Sequence, residues 1–207
     1  MDNEIPVYIR INKRGKIPVY KSIYAAGCDV FASKDLIIRP GETKLMPLNF
    51  IIAVQPEIEA QIRPRSGLSL NTDLRVTNSP GTIDSDYRNI VGVILQNTYN
   101  IANLPYEISI KPDILFKLKT EYKEVFLIDY LGEQDNFDIV NFENMDIVHK
   151  KIYVDKNKNP YGTLYLKKEE RIAQMVFGEH KRAKFINHPN PEDIGKNRGG
   201  GFGHTGI

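Results

Sequence analysis

An all-β barrel or sandwich is the fold class this sequence predicts, and three features predict it. Short β-type runs separated by turn signals fill the first hundred residues, no stretch among them sustains helical apolar spacing over three turns, and a β pattern returns towards the C-terminal end. The first run, Val7-Tyr8-Ile9-Arg10-Ile11, is rich in strand formers. Residues 36–39 run into Pro40-Gly41, a pair suited to a type II turn because glycine accepts the positive φ needed there. A long strand is expected over 43–54, interrupted at Pro47, with further strands at 60–63 and 90–96. The returning pattern predicts strands at 162–166 and 172–177.

The middle of the chain differs. Between Glu121 and Asp146 lie eight acidic residues against one lysine, Lys123. Apolar residues are interleaved with them, Val125-Phe126-Leu127-Ile128 and then Ile139-Val140 and Phe142. That is too apolar for a disordered acidic linker and predicts a folded or semi-folded module of undecided secondary structure. The end differs again: Lys196-Asn197-Arg198-Gly199-Gly200-Gly201-Phe202-Gly203-His204-Thr205-Gly206 contains five glycines. Such a segment is costly to order and is expected to be mobile until something binds it.

At 207 residues the chain fits one domain, or one domain with a large insertion. Its 28 Lys+Arg nearly balance 26 Asp+Glu, which gives no broad basic footprint for nucleic acid. One cysteine, Cys28, excludes an intrachain disulfide and a multi-cysteine zinc site. His149, His180, His188 and His204 have no metal-ligand spacing. No run approaches a membrane span of about 18 apolar residues, and the opening MDNEIPVYIRINKRG lacks a signal peptide's apolar core. A soluble, intracellular protein, cytoplasmic by default and with no membrane partner, is the expectation.

Several short motifs carry chemistry. Arg198 among glycines offers a guanidinium fork and close backbone N–H groups, both suited to phosphate, while Phe202 has no core neighbours and suits stacking on a base. The bland alternative is a frayed terminus. Arg65-Ser66-Gly67-Leu68 after a strand reads as an anion cradle or as an ordinary strand-end turn. Asn78-Ser79-Pro80-Gly81-Thr82-Ile83-Asp84-Ser85-Asp86-Tyr87-Arg88 reads as a tight hairpin whose carboxylate suits water activation, or as a polar turn. Asp29 in AGCDV and Gln174 in RIAQMVF each stand among apolar residues, either as satisfied structural groups or as ligand contacts.

Each motif is weak alone, but their order is not. AGCDVFA, RPRSGLS, NSPGTIDSDYR, RIAQMVF and RGGGFGHTG follow the order and kind of the five motifs of trimeric dUTPases, a family this chain resembles over roughly residues 5–98 and 162–207. The resemblance implies a jelly-roll-type β-barrel over 1–98 and 162–207 with a mobile C-terminal arm, an insertion over 99–161, and a homotrimer with active sites at subunit interfaces. In that family one subunit supplies the first, second and fourth motifs, a neighbour the third, and the tail of the remaining subunit closes over the ligand. The activity implied is Mg²⁺-assisted, in-line attack of water on the α-phosphorus of dUTP, giving dUMP and pyrophosphate.

By the same resemblance Asp84 is the general base and Asp29 holds the metal through water. Arg65, Ser66, Gly67 and Gln174 contact phosphate. Asn78 and the backbone of the 78–83 segment, with Gly81 and Ile83, read uracil, and Tyr87 packs under the deoxyribose. Arg198 clamps the terminal phosphates, Phe202 stacks on uracil, and Gly203, His204 and Thr205 complete the arm. Arg171 matches a motif position and stays open between a structural role and a ligand contact.

The chain departs from the family pattern at three places. Asn89 stands where glycine usually follows the YR pair, and His204 replaces the serine of a GFGST tail. Asp84 and Gln174 lie 174 − 84 = 90 positions apart, where a compact member needs only a strand and a turn. Some phage members carry extra sequence at that place and use it to engage regulatory proteins, so a protein partner for the insertion is an expectation too, against a neutral elaboration. The rivals are the same-fold dCTP deaminases, which resemble an RSS-type second motif with a catalytic glutamate, and a regulatory binding protein without catalysis. RSGL and IDSDYR fit the hydrolase better.

Overall fold

The computed structural model describes residues 4–133 and 145–196. Strands β1 (Tyr8–Ile11), β2 (Gly27–Phe31), β3 (Leu36–Ile38), β4 (Thr43–Pro47), β5 (Phe50–Ala53) and β6 (Ile58–Arg63) precede a one-and-a-half-turn helix, α1 (Ser66–Asn71). Strands β7 (Leu74–Val76), β8 (Gly81–Ile83) and β9 (Gly92–Asn97) follow. The alternation that predicts strands is the alternation that fills the core: Ile58, Ala60 and Ile62 of β6 point inward, as do Val93, Leu95 and Asn97 of β9.

The sheets order as β1-β5, β4-β9-β7 and a four-stranded sheet in which β6 pairs with β8 on one side. Two later strands complete them. β12 (Leu164–Leu166) pairs with β3, and β13 (Arg171–Glu179) lies between β2 and β6, antiparallel to both. All of these strands close on one apolar cluster that includes Val30, Ile38, Met46, Phe50, Leu95 and Met175. The all-β expectation is met, but among the described residues the strands form separate hydrogen-bonded sheets around that core and no closed barrel.

Local signals have local outcomes. Gly41 has φ +79 and Glu42 N–H donates to Arg39 C=O at 3.0 Å, the type II turn expected of Pro40-Gly41. The expected strand over 43–54 is two strands in different sheets. Pro47 ends β4, Asn49 takes a left-handed φ of 58°, and β5 leaves to pair with β1. The 78–83 segment is not a hairpin: β7 pairs with β9 while β8 pairs with β6. The turn falls at 76–79, with Ser79 N–H on Val76 C=O, followed by a cis Ser79–Pro80 bond, and Gly81 already belongs to β8. Helix α1 replaces the expected strand-end turn after β6, and six residues are too few for helical periodicity to show in a sequence.

The described residues between β9 and β12 fold into helices and strands. It holds α2 (Leu104–Ile110), α3 (Asp113–Glu121), β10 (Tyr122–Phe126), α4 (Leu127–Gly132) and β11 (Lys151–Asp155), with β10 and β11 forming an antiparallel ladder. Pro105 in the first turn of α2 and Asp113 in the first turn of α3 suit helix starts. Leu104, Leu118, Val148 and Val154 are buried there but stand outside the main core cluster. Tyr122 and Tyr99 each meet Tyr161 edge to face, with ring centroids 5.2 and 5.7 Å away. Burial pushes the Tyr122 hydroxyl up to about 12. Tyr99 is raised further by burial and by Glu107, to which its hydroxyl donates at 3.0 Å.

Asn97 holds both ends of this excursion. It is fully buried at the end of β9. Its Nδ2 donates to Ile38 C=O at 2.9 Å and to Gly162 C=O at 2.8 Å, and its Oδ1 accepts from Tyr99 N–H at 3.0 Å. Gly162 has φ +86 and lies against the Tyr99 ring where any Cβ would stand, so only glycine fits. Asn97→Ala strands two carbonyls and an amide in the interior, and each buried unpaired group costs about 1–3 kcal/mol. A loss of at least about 2 kcal/mol in urea-unfolding free energy is expected, with an unchanged midpoint counting against the clamp.

Candidate active site

β13 builds the site because it touches two motif-bearing strands at once: Gln174 stands opposite Asp29 of β2 on one side and Arg63 of β6 on the other. Gly27 makes room for the Gln174 amide, since a Cβ there would come within 3.1 Å of its Oε1. That amide is half-buried and makes no hydrogen bond among the described residues.

Asp29 is buried, at 4% exposure, yet neither of its oxygens is idle. Oδ1 accepts from Arg65 Nε at 3.0 Å and Oδ2 from Arg171 Nη1 at 3.1 Å. Arg65 Nη1 also donates to the Arg171 carbonyl at 3.2 Å. Two guanidiniums on one carboxylate leave a net positive edge, with donors still unused on the exposed side. Ser66 and Gly67 lie next to it on α1, both exposed. Gly67 has no left-handed φ, and open space lies where its Cβ would be.

Cys28, the neighbour of Asp29, takes no part. Its thiol is buried, donates to Met175 C=O at 3.4 Å, and burial pushes it above its ordinary value, the reverse of an activated thiolate.

The third motif sits elsewhere. In the β6–β8 ladder Ile83 faces Ala60 and Gly81 faces Ile62, so Asp84 falls level with Glu59. Glu59 is four residues from Arg63, roughly 13 Å along the strand, before the chain continues to Arg65. Asp84 is exposed and its carboxylate has no hydrogen bond or ion pair among the described residues. Tyr87 N–H donates to Asp84 C=O at 3.1 Å, and its hydroxyl to Ile90 C=O at 3.0 Å, which turns the ring beside the carboxylate's loop. Asn78 is exposed, its amide lying over Gly81.

Within one chain, then, Asp29, Arg65, Gln174 and Arg171 come together with Ser66 and Gly67 alongside, while β8 leads from Gly81, opposite Ile62, past Ile83 to Asp84, further along β6 from Arg65. Arg198, Phe202, Gly203, His204 and Thr205 lie outside the described residues. Arg171, left open between a structural role and a ligand contact, makes an ion pair to Asp29, a partnership that strand alternation alone gives no sign of.

Among the described residues no group of three or more His, Cys, Asp or Glu could hold a metal ion. The donor set at Asp29 is one carboxylate already bonded to two cations. That fits a Mg²⁺ that keeps its waters and arrives on substrate phosphates, and it does not fit a resident protein-bound ion. No helix among the described residues is long and apolar enough to cross a membrane.

The dUTPase family model matches residues 13–107. A deoxyuridine 5'-triphosphate nucleotidohydrolase of Thermoanaerobacter sp. is 49% identical over 83 residues, 39% of this chain and 56% of that protein. One from Wolbachia pipientis subsp. Culex pipiens is 43% identical over 111 residues, 51% of this chain and 71% of that protein. The first two curated relatives are matched over only 56% and 59% of their own length. Among solved structures, a Staphylococcus bacteriophage 80alpha dUTPase with dUPNHPP superposes with a TM-score of 0.67 at 17% identity, covering 98% of this chain and 99% of that one. The dUTPase of phage phi11 of S. aureus, whose species-specific insert is visible, gives 0.60 at 17% identity over 89% and 96%. A mutant of the phi11 enzyme is described with a structural Mg(II) ion. The fold is therefore that of the phage enzymes, and the chain belongs to the dUTPase family.

Proposed function

We propose that this chain is a dUTP diphosphatase that hydrolyses dUTP to dUMP and pyrophosphate. The observation that carries the reading is the guanidinium pair on Asp29, set beside Ser66 and the unpaired amide of Gln174. This edge suits a polyphosphate: Arg65 and Ser66 donate to its oxygens, and the open space at Gly67 lets the backbone approach. Asp84, whose carboxylate has no partner among the described residues, accepts the proton of the attacking water. The water oxygen bonds to the α-phosphorus, the bond to the bridging oxygen of the β-phosphate breaks, and pyrophosphate leaves. Bound Mg²⁺ would be held through water by Asp29 and would supply neutralisation of the phosphate charge. Asn78 and the edge of β8 at Gly81 and Ile83 read the uracil, and the Tyr87 ring excludes a 2′-hydroxyl. The arm with Arg198, Phe202, Gly203, His204 and Thr205 closes over the ligand.

The separation of Asp84 from Arg65 along β6 supports a site completed between copies of the chain, in a homotrimer. An apolar groove lined by Ile5, Ile17, Tyr20, Ile23 and Tyr24 on the outer surface suits such contacts. Asp84→Asn is expected to leave the assembly intact and lower kcat for pyrophosphate release from dUTP by about 10²-fold, with UTP, dTTP and dCTP as controls. Near-normal turnover removes Asp84 from the role, and ammonia release from dCTP would move the chain to the deaminases. If the site is shared, inactive Asp84→Asn and Arg65→Gln chains mixed and reassembled recover about a quarter of the native sites. No recovery in demonstrated mixed oligomers would place the site within one chain.

The 99–161 segment reads as a module outside the chemistry, since Asn97 and Gly162 bring its ends together. Exposed Tyr106, Ile110, Leu115 and Phe116 on α2 and α3 favour a protein-docking role for it beside catalysis. Replacing 101–160 by a short Gly/Ser loop, with Tyr99, Tyr161 and Gly162 kept, is expected to retain most dUTP turnover. Lost activity in a soluble, correctly assembled deletion protein would show that the module helps build the site.

A further inference from the structure

Strand alternation alone would send Arg171 into the core. Along β13, Ala173 and Met175 are buried while Gln174 is half-exposed, so a regular strand would turn position 171 inward with Ala173. The ladder to β2 instead slips between Arg171 and Ala173, and Ile172 is buried beside Ala173. This bulge reverses the alternation by one residue. Arg171 emerges on the face of Gln174 and Asp29, as bulges beside functional sites re-aim side chains. There it takes the second oxygen of Asp29, whose first oxygen holds Arg65, and its own carbonyl accepts from Arg65 Nη1.

We propose that Arg171 is a positioning residue for the phosphate edge: acting through Asp29 and through its own carbonyl, it fixes the plane and direction of the Arg65 guanidinium. The physical need is clear. Arg65 follows Pro64 in the loop from β6 to α1, and a long side chain there would sample many rotamers. Two bonds from Arg65, one to the carboxylate and one to the Arg171 backbone, define its plane. The Asp29 carboxylate can define a direction only if it is itself fixed, which the ion pair to Arg171 does. A preset fork leaves fewer rotamers to lose when an anion binds. The inference rests on the reading of Arg65 as a phosphate contact.

The test is a double-mutant cycle on binding of inorganic tripolyphosphate to the full chain by calorimetry, with dUTP hydrolysis followed separately. Arg171→Gln is expected to weaken tripolyphosphate binding about tenfold in the native background and by less than about twofold when Arg65 is already Gln. Equal losses in both backgrounds would show that Arg171 acts on the ligand by itself, and overturn the proposal. So would unchanged affinity in a folded Arg171→Gln protein, which would leave a merely structural ion pair. Arg171→Lys, which keeps a cation on Asp29, is expected to recover most of the lost affinity.

If Arg171→Gln does not fold, the same cycle with the isosteric Asp29→Asn decides. Removing a negative charge should by itself strengthen anion binding, so weaker binding that disappears in the Arg65→Gln background supports positioning, and tighter binding refutes it. Absence of tripolyphosphate binding to the native chain also overturns the proposal. Intact coupling in a chain that does not hydrolyse dUTP would instead sink the dUTP reading alone.

Discussion

The fold tolerates a large module in its middle because one buried amide closes the gap. Asn97 ends β9 with its side chain pointing inward, where alternation would otherwise place a hydrocarbon, and it bonds to β3, to the residue that departs and to the residue that returns. An amide is suited to this: it offers two donors and an acceptor, and all are used, so no polar atom of it is left unpaired in the core. With the two ends pinned beside β3, the register of β12 on β3 does not depend on what lies between. β13 then enters between β2 and β6.

That position of β13 organises the chemistry. A strand with two antiparallel neighbours carries residues of both into one row, so Asp29, Gln174 and the end of β6 converge although they are far apart in sequence. The carboxylate of Asp29 sits under the row and sets the direction of two arginines. A buried acid between two cations is costly to create and strongly constrained once formed, which makes it a poor source of stability and a good source of geometry. Placing the cations at the surface and the acid beneath them leaves positive charge facing the solvent.

The same sheet sets Asp84 at a distance from Arg65. β8 runs antiparallel to β6, so from Gly81 opposite Ile62 it leads away from Arg65 and carries Asp84 level with Glu59. In the proposed reading, the catalytic carboxylate and the phosphate edge meet only when copies of the chain assemble, and hydrolysis is then tied to the oligomer. Among the described residues between β9 and β12, Leu104, Leu118, Val148 and Val154 are buried outside the main core cluster, and Tyr106, Ile110, Leu115 and Phe116 are exposed.

The sequence by itself determined the elements whose signals are local. Short runs of strand-forming residues between turn signals mark β6, β9 and β13, Pro40-Gly41 marks a turn because glycine accepts its φ, and Pro47 marks an end because proline cannot continue a ladder. The ordered motifs determined the family, since five spaced strings carry information that none carries alone. Tertiary structure decided what depends on partners distant in sequence. Pro80-Gly81 looks like a hairpin, yet β7 and β8 choose different neighbours, because pairing is settled by which inward faces fit the core. The helices of the module are too short for periodicity to distinguish them from turns. Arg171 reads as one more strand residue until a bulge against β2 turns it onto Asp29, and Asn97 reads as a polar strand end until Ile38 and Gly162 present their carbonyls. In each case the side chain's role is fixed by groups that only the folded chain brings within hydrogen-bonding distance.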